Sequence, residues 1–345
     1  MTSEIAKPSD FVPTLADVAR HAGVSTATVS RCLNAPDQVQ KKTRDRVLEA
    51  VEELGYSPNF SAQSLAARRT NTIGAIIPTM ENAIFARAIQ AVQEELGRAG
   101  ATLLVASSAY KPELEKDQIR ALVARGADGL LLIGHARDPA VYDFLDRQNV
   151  PVCVSWAYDP SQPKPSVGFD NRASMRAMAD EVLRQGHRRI AMISARQTDN
   201  DRARDRVQGV RDAMREAGVD CTDMTVFETD YTIEAGGAAL AALVASSPGP
   251  SAVICGNDVL AVGAVKAAQK LGLRVPEDIS ITGFDDIELA RVIVPALTTV
   301  HVPHREMGVL AARQLWKMVT GAGPADSLQL DTELRLRGSL GRPAL

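Results

Sequence analysis

Apolar positions near the amino terminus recur with a helical period. Leu15, Val18, Ala19 and Ala22 follow the i, i+3, i+4, i+7 rule, which predicts a one-faced helix. Gly23 then breaks the pattern as a tight inter-helix turn requires, because glycine tolerates a positive φ. Ser25 is a good N-cap for a second helix, its hydroxyl able to satisfy an orphan amide. Along that helix Val29, Cys32 and Leu33 face one side, while Ala27, Ser30 and Arg31 face the other. The second face is small and polar with one guanidinium, which suits a DNA major groove better than a protein core. Residues 14–67 thus read as a helix-turn-helix, a third helix and a short hinge.

From Thr72 the pattern changes to short apolar strands alternating with helical segments. The strand candidates are 72–78, 101–107, 129–133, 151–156, 189–194, 251–256 and 279–284. Near-continuous apolar strands in β-α alternation imply an α/β fold with parallel sheets covered on both faces. Two sets, parted near 166–170, predict two doubly wound subdomains, with the chain returning to the first through TTVHVP (298–303). Ligands bind open parallel sheets beyond the carboxyl ends of the strands. The loops there hold polar residues and a few aromatics, a plausible small-molecule site. Phe85, Trp156 and Tyr231 are candidate stacking walls, and Trp156 is equally a core filler. Arg202, Arg204 and Arg206 crowd one loop beside Asn200, a cluster suited to an anionic ligand, since a guanidinium fork binds carboxylate bidentately. Asp199, Asp201 and Asp205 interleave with them as alternative partners.

Composition narrows the class. The 345 residues carry a formal charge of −3, and within residues 1–70 basic side chains barely outnumber acidic ones. Electrostatics alone does not predict DNA binding, so two headpieces on one site are expected. The four cysteines (Cys32, Cys153, Cys221, Cys255) show neither paired nor metal-ligand spacing. No cofactor is expected, and a reducing cytoplasm fits. No signal segment or membrane-spanning run is read, and residues 1–13 read as a disordered lead.

The run L-A-D-V-A-x-x-A-G-V-S-x-x-T-V-S-R, with Pro58–Asn59, Ala62 and Leu65 behind it, resembles the LacI/GalR family of bacterial repressors. The resemblance implies a headpiece at 14–58, a hinge helix and linker at 59–70, and a periplasmic-binding-protein-like core at 71–345. Within the core it places the N-subdomain at about 71–166 and 299–325, and the C-subdomain at about 167–298 and 326–342. It implies that Thr26 and Ala27 read base edges and that Arg31 reaches a guanine. Thr14, Ser30, Asn34, Tyr56 and Asn59 match phosphate-holding positions, and Leu65 the leucine that wedges into the minor groove. Gln40 departs from the usual Ser or Thr before the third helix and is a poorer cap. In the core, Arg206 and Asp285 match residues that hold effector hydroxyls or carboxylates. Asn257 matches a lining residue, though an asparagine at a helix start is also an ordinary cap.

SAYKPELE (108–115) and VGFDN (167–171) are similar to the gluconate-type branch, which points to a sugar acid ahead of a neutral sugar. The expected partners are a pseudo-palindromic double-stranded operator, a second copy of the chain, and a sugar or sugar-acid effector. A solute-binding protein or a sugar-processing enzyme on the same scaffold is the rival. Against the enzyme stands the lack of a Gly-rich phosphate loop, a nucleophile elbow or a metal-ligand spacing.

Overall fold

The structure is a computed structural model and describes residues 12–57, 69–81, 83–222, 224–246 and 249–344, without the side chain of Asn34. Residue contacts divide the chain into two units, Met1–Thr70 and Asn71–Leu345. The expected lead and hinge helix fall largely outside the described residues, and Asn59, Ala62 and Leu65 wholly so.

The first unit follows from its caps and its apolar faces. Helix α1 (Leu15–Ala22) begins in a capping box: Asp17 N donates to Thr14 Oγ1 at 3.3 Å, and Thr14 N donates to Asp17 Oδ2 at 3.0 Å. Gly23 ends it at φ +61°. Helix α2 (Thr26–Asn34) is capped by Ser25, whose Oγ accepts from Thr28 N at 3.1 Å. Helix α3 (Lys41–Leu54) follows Gln40, whose side chain makes no capping bond. Val18, Ala19, Ala22, Val29, Cys32, Val47 and Ala50 form the core between the three helices. His21 Nε2 meets Glu53 Oε2 at 2.6 Å and ties α1 to α3.

The second unit contains two lobes, each built on a six-stranded sheet. The first runs through β1 (Thr72–Ile77), α4 (Ala83–Arg98), β2 (Thr102–Ser107), α5 (Pro112–Ala124), β3 (Gly129–Ile133), α6 (Pro139–Arg147), β4 (Val152–Ser155) and β5 (Ser166–Gly168). The second runs through α7 (Asn171–Arg184), β6 (Ile190–Ala195), α8 (Asp201–Glu216), β7 (Val226–Thr229), α9 (Ile233–Val244), β8 (Ala252–Cys255), α10 (Asp258–Lys270), β9 (Ser280–Asp285), α11 (Leu289–Val292) and β10 (Thr298–His301). Helix α12 (His304–Thr320), β11 (Leu328–Gln329) and β12 (Glu333–Arg335) close the chain.

Strand order is β11-β5-β4-β3-β1-β2 in one sheet and β12-β10-β9-β8-β6-β7 in the other. Every pairing is parallel except β10 with β12. Side chains alternate between the faces. Ile73, Ala75 and Ile77 pack with α4, while Ile76, Leu130 and Leu132 pack with Ile119 and Leu145 on the other side. The seven apolar runs are all strands, and Cys153 and Cys255 are core residues.

The crossings between lobes differ from the expected boundaries. Ser166–Gly168 still belongs to the first sheet, beside β4, and the crossing follows it. Residues 298–301 do not return to the first lobe: Thr298–His301 pairs with β9, and the return comes only with α12. Within 326–342, Leu328–Gln329 lies on the edge of the first sheet, and only Glu333–Arg335 joins the second. These strands are two to four residues long. Too short to show a period, they carry no sequence signal of which sheet they join.

The uncapped start of α3 generates a prediction. Gln40→Ser supplies the missing side-chain acceptor and is expected to stabilise that helix end by about 0.5–1 kcal/mol. Amide exchange at residues 42–44 of the intact chain should slow two- to five-fold, and unchanged exchange would contradict the capping argument.

Candidate functional site

On the first unit, the face of α2 opposite Val29 and Cys32 is open. Thr26, Ala27 and Arg31 are exposed, and Ser30 is half-buried. Thr14 is differently employed from what was expected: its hydroxyl donates to Asp17 Oδ2 at 2.6 Å, inside the capping box. These bonds from Thr14 hold the Asp17 carboxyl below the usual carboxylate range. Tyr56 is half-buried against the helical core. The side chain of Asn34, and all of Asn59, Ala62 and Leu65, lie outside the described residues.

In the second unit the loops after β2 and β3 meet those after β6 and β7, and the polar cluster beside them is built around Arg206. That residue lies in the second turn of α8, 5% exposed. Its Nε donates to Asn171 Oδ1 at 2.9 Å and its Nη1 to Gly256 O at 2.6 Å. The guanidinium carbon sits 3.8 Å from the centroid of the Phe284 ring, and Nη2 is 4.0 Å from Asp285 Oδ1. Asp285 ends β9 at φ +103°, a left-handed conformation that costs an aspartate energy. It is 1% exposed, and neither carboxylate oxygen has a hydrogen-bond partner within the described protein. Burial pushes its carboxyl up to about 7, with Arg206 pulling it back only in part. Two other acids flank it. Asp258 accepts from Thr299 Oγ1 at 2.6 Å and Ile287 N at 2.9 Å, and burial followed by the nearby Asp285 raises it well above the ordinary range. Asp286 is held by Arg337 at 2.6 Å, His301 at 3.0 Å and Arg291 at 3.3 Å.

Asn257 is a helix cap, as one reading of the sequence expects. Its Oδ1 caps α10 by accepting from Leu260 N at 2.9 Å, while its buried Nδ2 has no partner among the described residues. Asn200 likewise caps α8, accepting from Ala203 N at 3.3 Å, and also bonds the Tyr231 side chain. Tyr231 meets Tyr110 with ring centroids 5.5 Å apart. The first ring comes from the loop after β7 and the second from the loop after β2, so the pair spans the two lobes. Phe85 and Trp156 pack on each other at 5.1 Å and belong to the buried core, 4% and 2% exposed. They are core residues and not open walls. The Trp156 indole N–H nevertheless lacks a partner among the described residues.

Arg202 and Arg204 both have partners in the protein. Arg202 Nη1 donates to Ile133 O and to Asp201 Oδ1, both at 3.0 Å, and Arg204 Nη1 donates to Gln197 O at 2.8 Å. Of the expected guanidinium cluster, Arg204 turns away, while Arg202 and Arg206 both act on Tyr110 and Tyr231. Two residues that sequence reasoning passed over take part. Asn171, noticed only within VGFDN, orients Arg206. His304, at the start of α12, donates from Nε2 to Asp285 O at 3.2 Å, because a carbonyl can only accept. Burial lowers this imidazole to about 4, which keeps it neutral. No motif announced it. Among the described residues no group of three or more His, Cys, Asp or Glu could hold a metal ion, and no helix is long and apolar enough to cross a membrane.

Comparison with known proteins supplies context for both surfaces. Residues 14–59 match the model of bacterial regulatory proteins of the lacI family, and residues 179–340 match a periplasmic-binding-protein-like domain. The HTH-type transcriptional repressor CytR of Escherichia coli (strain K12) is 34% identical over 339 residues, 97% of this chain and 98% of the relative. The lac repressor dimer bound to operator and the anti-inducer ONPF superposes with a TM-score of 0.85 at 27% identity, covering 96% of this chain and 100% of that one. The regulator CelR in its cellobiose complex gives 0.71 at 32% identity, covering 95% and 99%.

The raised Asp285 carboxyl has a measurable consequence without any ligand. A group whose folded pKa lies above its unfolded value contributes stability below the unfolded value and loses it as pH rises through the folded one. For Asp285 that window runs from about 4 to about 7. Asp285→Asn removes the loss, so its Tm relative to the unsubstituted chain should rise by a few degrees between pH 5 and pH 8. A Tm difference independent of pH would show that this carboxyl is not the titrating group.

Proposed function

The chain belongs to the lacI family of bacterial regulatory proteins, and from that premise we propose that it is a dimeric repressor released from or recruited to its operator by a small neutral polyhydroxylated effector. Two copies each lay α2 into a major groove of a pseudo-palindromic site, with Thr26, Ala27 and Arg31 at the bases. Ser30, Tyr56 and, beyond the described residues, Asn34 and Asn59 are assigned to phosphates, with Ala62 and Leu65 at the operator centre. Thr14 holds the first helix in shape for that contact. The near balance of charge in the headpiece makes one copy a weak binder, so paired engagement supplies the affinity. Val292 and Val294, 72% and 75% exposed, offer apolar surface for a second copy to cover.

The observation that carries the effector reading is the buried Asp285 carboxylate with both oxygens unpartnered beside Arg206. Adjacent hydroxyls can donate to those oxygens, while Asn257 Nδ2 and Arg206 Nη2 donate in return. The choice between a sugar and a sugar acid turns on charge. Arg204 turns away to Gln197, whereas Arg202 and Arg206 both act on the Tyr110 and Tyr231 hydroxyls, and Asp285 is the acid beside Arg206. An anionic ligand meets that carboxylate and is disfavoured. A neutral sugar, of which cellobiose in CelR is an example, fits better.

Two measurements test this reading. A thermal-shift screen of neutral sugars and sugar acids against the full chain should yield a neutral compound that raises the Tm, with the shift lost in Asp285→Asn. A sugar acid as the best stabiliser would overturn the charge argument. On the DNA side, Ala27 offers only a methyl, which matches a thymine methyl. Ala27→Gln is therefore expected to change base preference at one symmetric pair of operator positions. The same selected motif for both proteins would put the reading face elsewhere.

A further inference from the structure

We infer that Asp201 and Arg202 are positioning residues that clasp the two lobes together across the cleft before any ligand arrives. Both stand at the start of α8 in the second lobe, and every group they grip in the first lobe is backbone. Asp201 Oδ2 accepts from His135 N at 2.5 Å and from Ala136 N at 3.3 Å. Arg202 Nη1 donates to Ile133 O at 3.0 Å and, also at 3.0 Å, to Asp201 Oδ1, which fixes the pair as one unit.

The receiving loop is shaped for a carboxylate. Gly134 is left-handed at φ +71°, and the amides that follow it converge on one point, the geometry of an anion-binding nest. Gly134 also has to be glycine for a second reason. A Cβ there would overlap Arg202 Nη1 and Asp201 Oδ1, so the opposite lobe occupies that space. The loop is braced from its own side as well. Arg137, its side chain 2% exposed, donates to Gly134 O at 2.8 Å and Ile133 O at 3.3 Å and pairs with Glu115 at 3.1 Å. A pull on the loop is thus a pull on the first lobe.

The clasp is placed where electrostatics count. The Asp201 and Arg202 side chains are 16% and 13% exposed, whereas Arg87 and Glu288, an ion pair that does join the lobes, are 40% and 62% exposed and screened by solvent. Burial pushes the Asp201 carboxyl up, but Arg202 and the amides of His135 and Arg202 outweigh it, leaving it lowered and ionised. The Asp201 carboxylate thus fills the role that an anionic ligand would have had among these arginines. The consequence rests on the reading of the cleft as an effector site. A ligand that prefers closed lobes binds with an apparent affinity scaled by the closed fraction, and the clasp raises that fraction.

The test uses the ligand-free full chain, so its failure is separate from any failure of the effector reading. In Asp201→Ala, amide exchange at His135 and Ala136 should accelerate at least ten-fold, and X-ray scattering should report a larger radius of gyration. Asp201→Asn, which keeps an acceptor but not the charge, should fall between. Gly134→Ala should produce the same loosening, and the double variant no more than the larger single effect, because both act on one contact. Circular dichroism checks that each variant is folded. Unchanged exchange and unchanged scattering in Asp201→Ala, or additive effects of the two substitutions, would overturn the clasp.

Discussion

One carboxamide ties the halves of the cleft together. Asn171 Nδ2 donates to Trp156 O at 2.9 Å in the first lobe, and Asn171 Oδ1 accepts from Arg206 Nε at 2.9 Å in the second. The residue begins α7 immediately after the chain has crossed between the lobes, so its position is set by the crossing itself. From it the rest follows in order. Arg206, once its Nε is held, places Nη1 on Gly256 O and turns Nη2 toward Asp285. Burying a guanidinium is costly unless its donors are met, and here the Asn171 side-chain oxygen, the Gly256 carbonyl and the Phe284 ring offset that cost. What is left over is the Asp285 carboxylate, buried but not hydrogen-bonded.

That incompleteness is supported by the fold around it. Asp285 sits in a left-handed conformation at the end of a fully buried strand, and His304 fixes its carbonyl from the start of α12. His304 is neutral because it is buried, so it adds a hydrogen bond without a charge that would quench the carboxylate. Asp258 and Asp286 are satisfied by Thr299, the Ile287 amide, Arg337 and His301. Three acids stand together, and among the described residues the Asp285 carboxyl is the one of them without a hydrogen-bond partner.

How much of this was legible in the sequence depended on whether a residue's role is local. The central strands, apolar on both faces, announce themselves as continuous runs, and the helix-turn-helix announces itself through Gly23, Ser25 and a 3.6-residue period. The edge strands 226–229, 328–329 and 333–335 do not, being short and half-exposed. Arg206, Asp285 and Asn257 could be named because strand ends and motifs mark them. The Arg202 contact with Ile133 was not legible, because spacing to Arg206 says nothing about a carbonyl 69 positions away in the other lobe. His304 bonds a backbone carbonyl that any sequence would present, and Asn171 joins another such carbonyl to a side chain 35 positions away, so composition carries no trace of their partners.

The clasp between the lobes and the unmet polar groups of the second lobe then act on one equilibrium from different sides. Asp201 and Arg202 join backbone to side chain and hold the lobes near each other without a ligand's help. Asp285 and Arg206 leave hydrogen-bonding capacity unmet, and a ligand that supplies the missing donors stabilises the same closed arrangement. A ligand changes the population only by its differential affinity for the two arrangements. A clasp alone leaves no response to a signal, and an unmet carboxylate alone leaves the lobes free to part. With both, closure is partly prepared and still responsive. A regulator needs that condition, since a coupling of 1–3 kcal/mol, about the size of one buried charged hydrogen bond, is enough for a five- to hundred-fold change in binding.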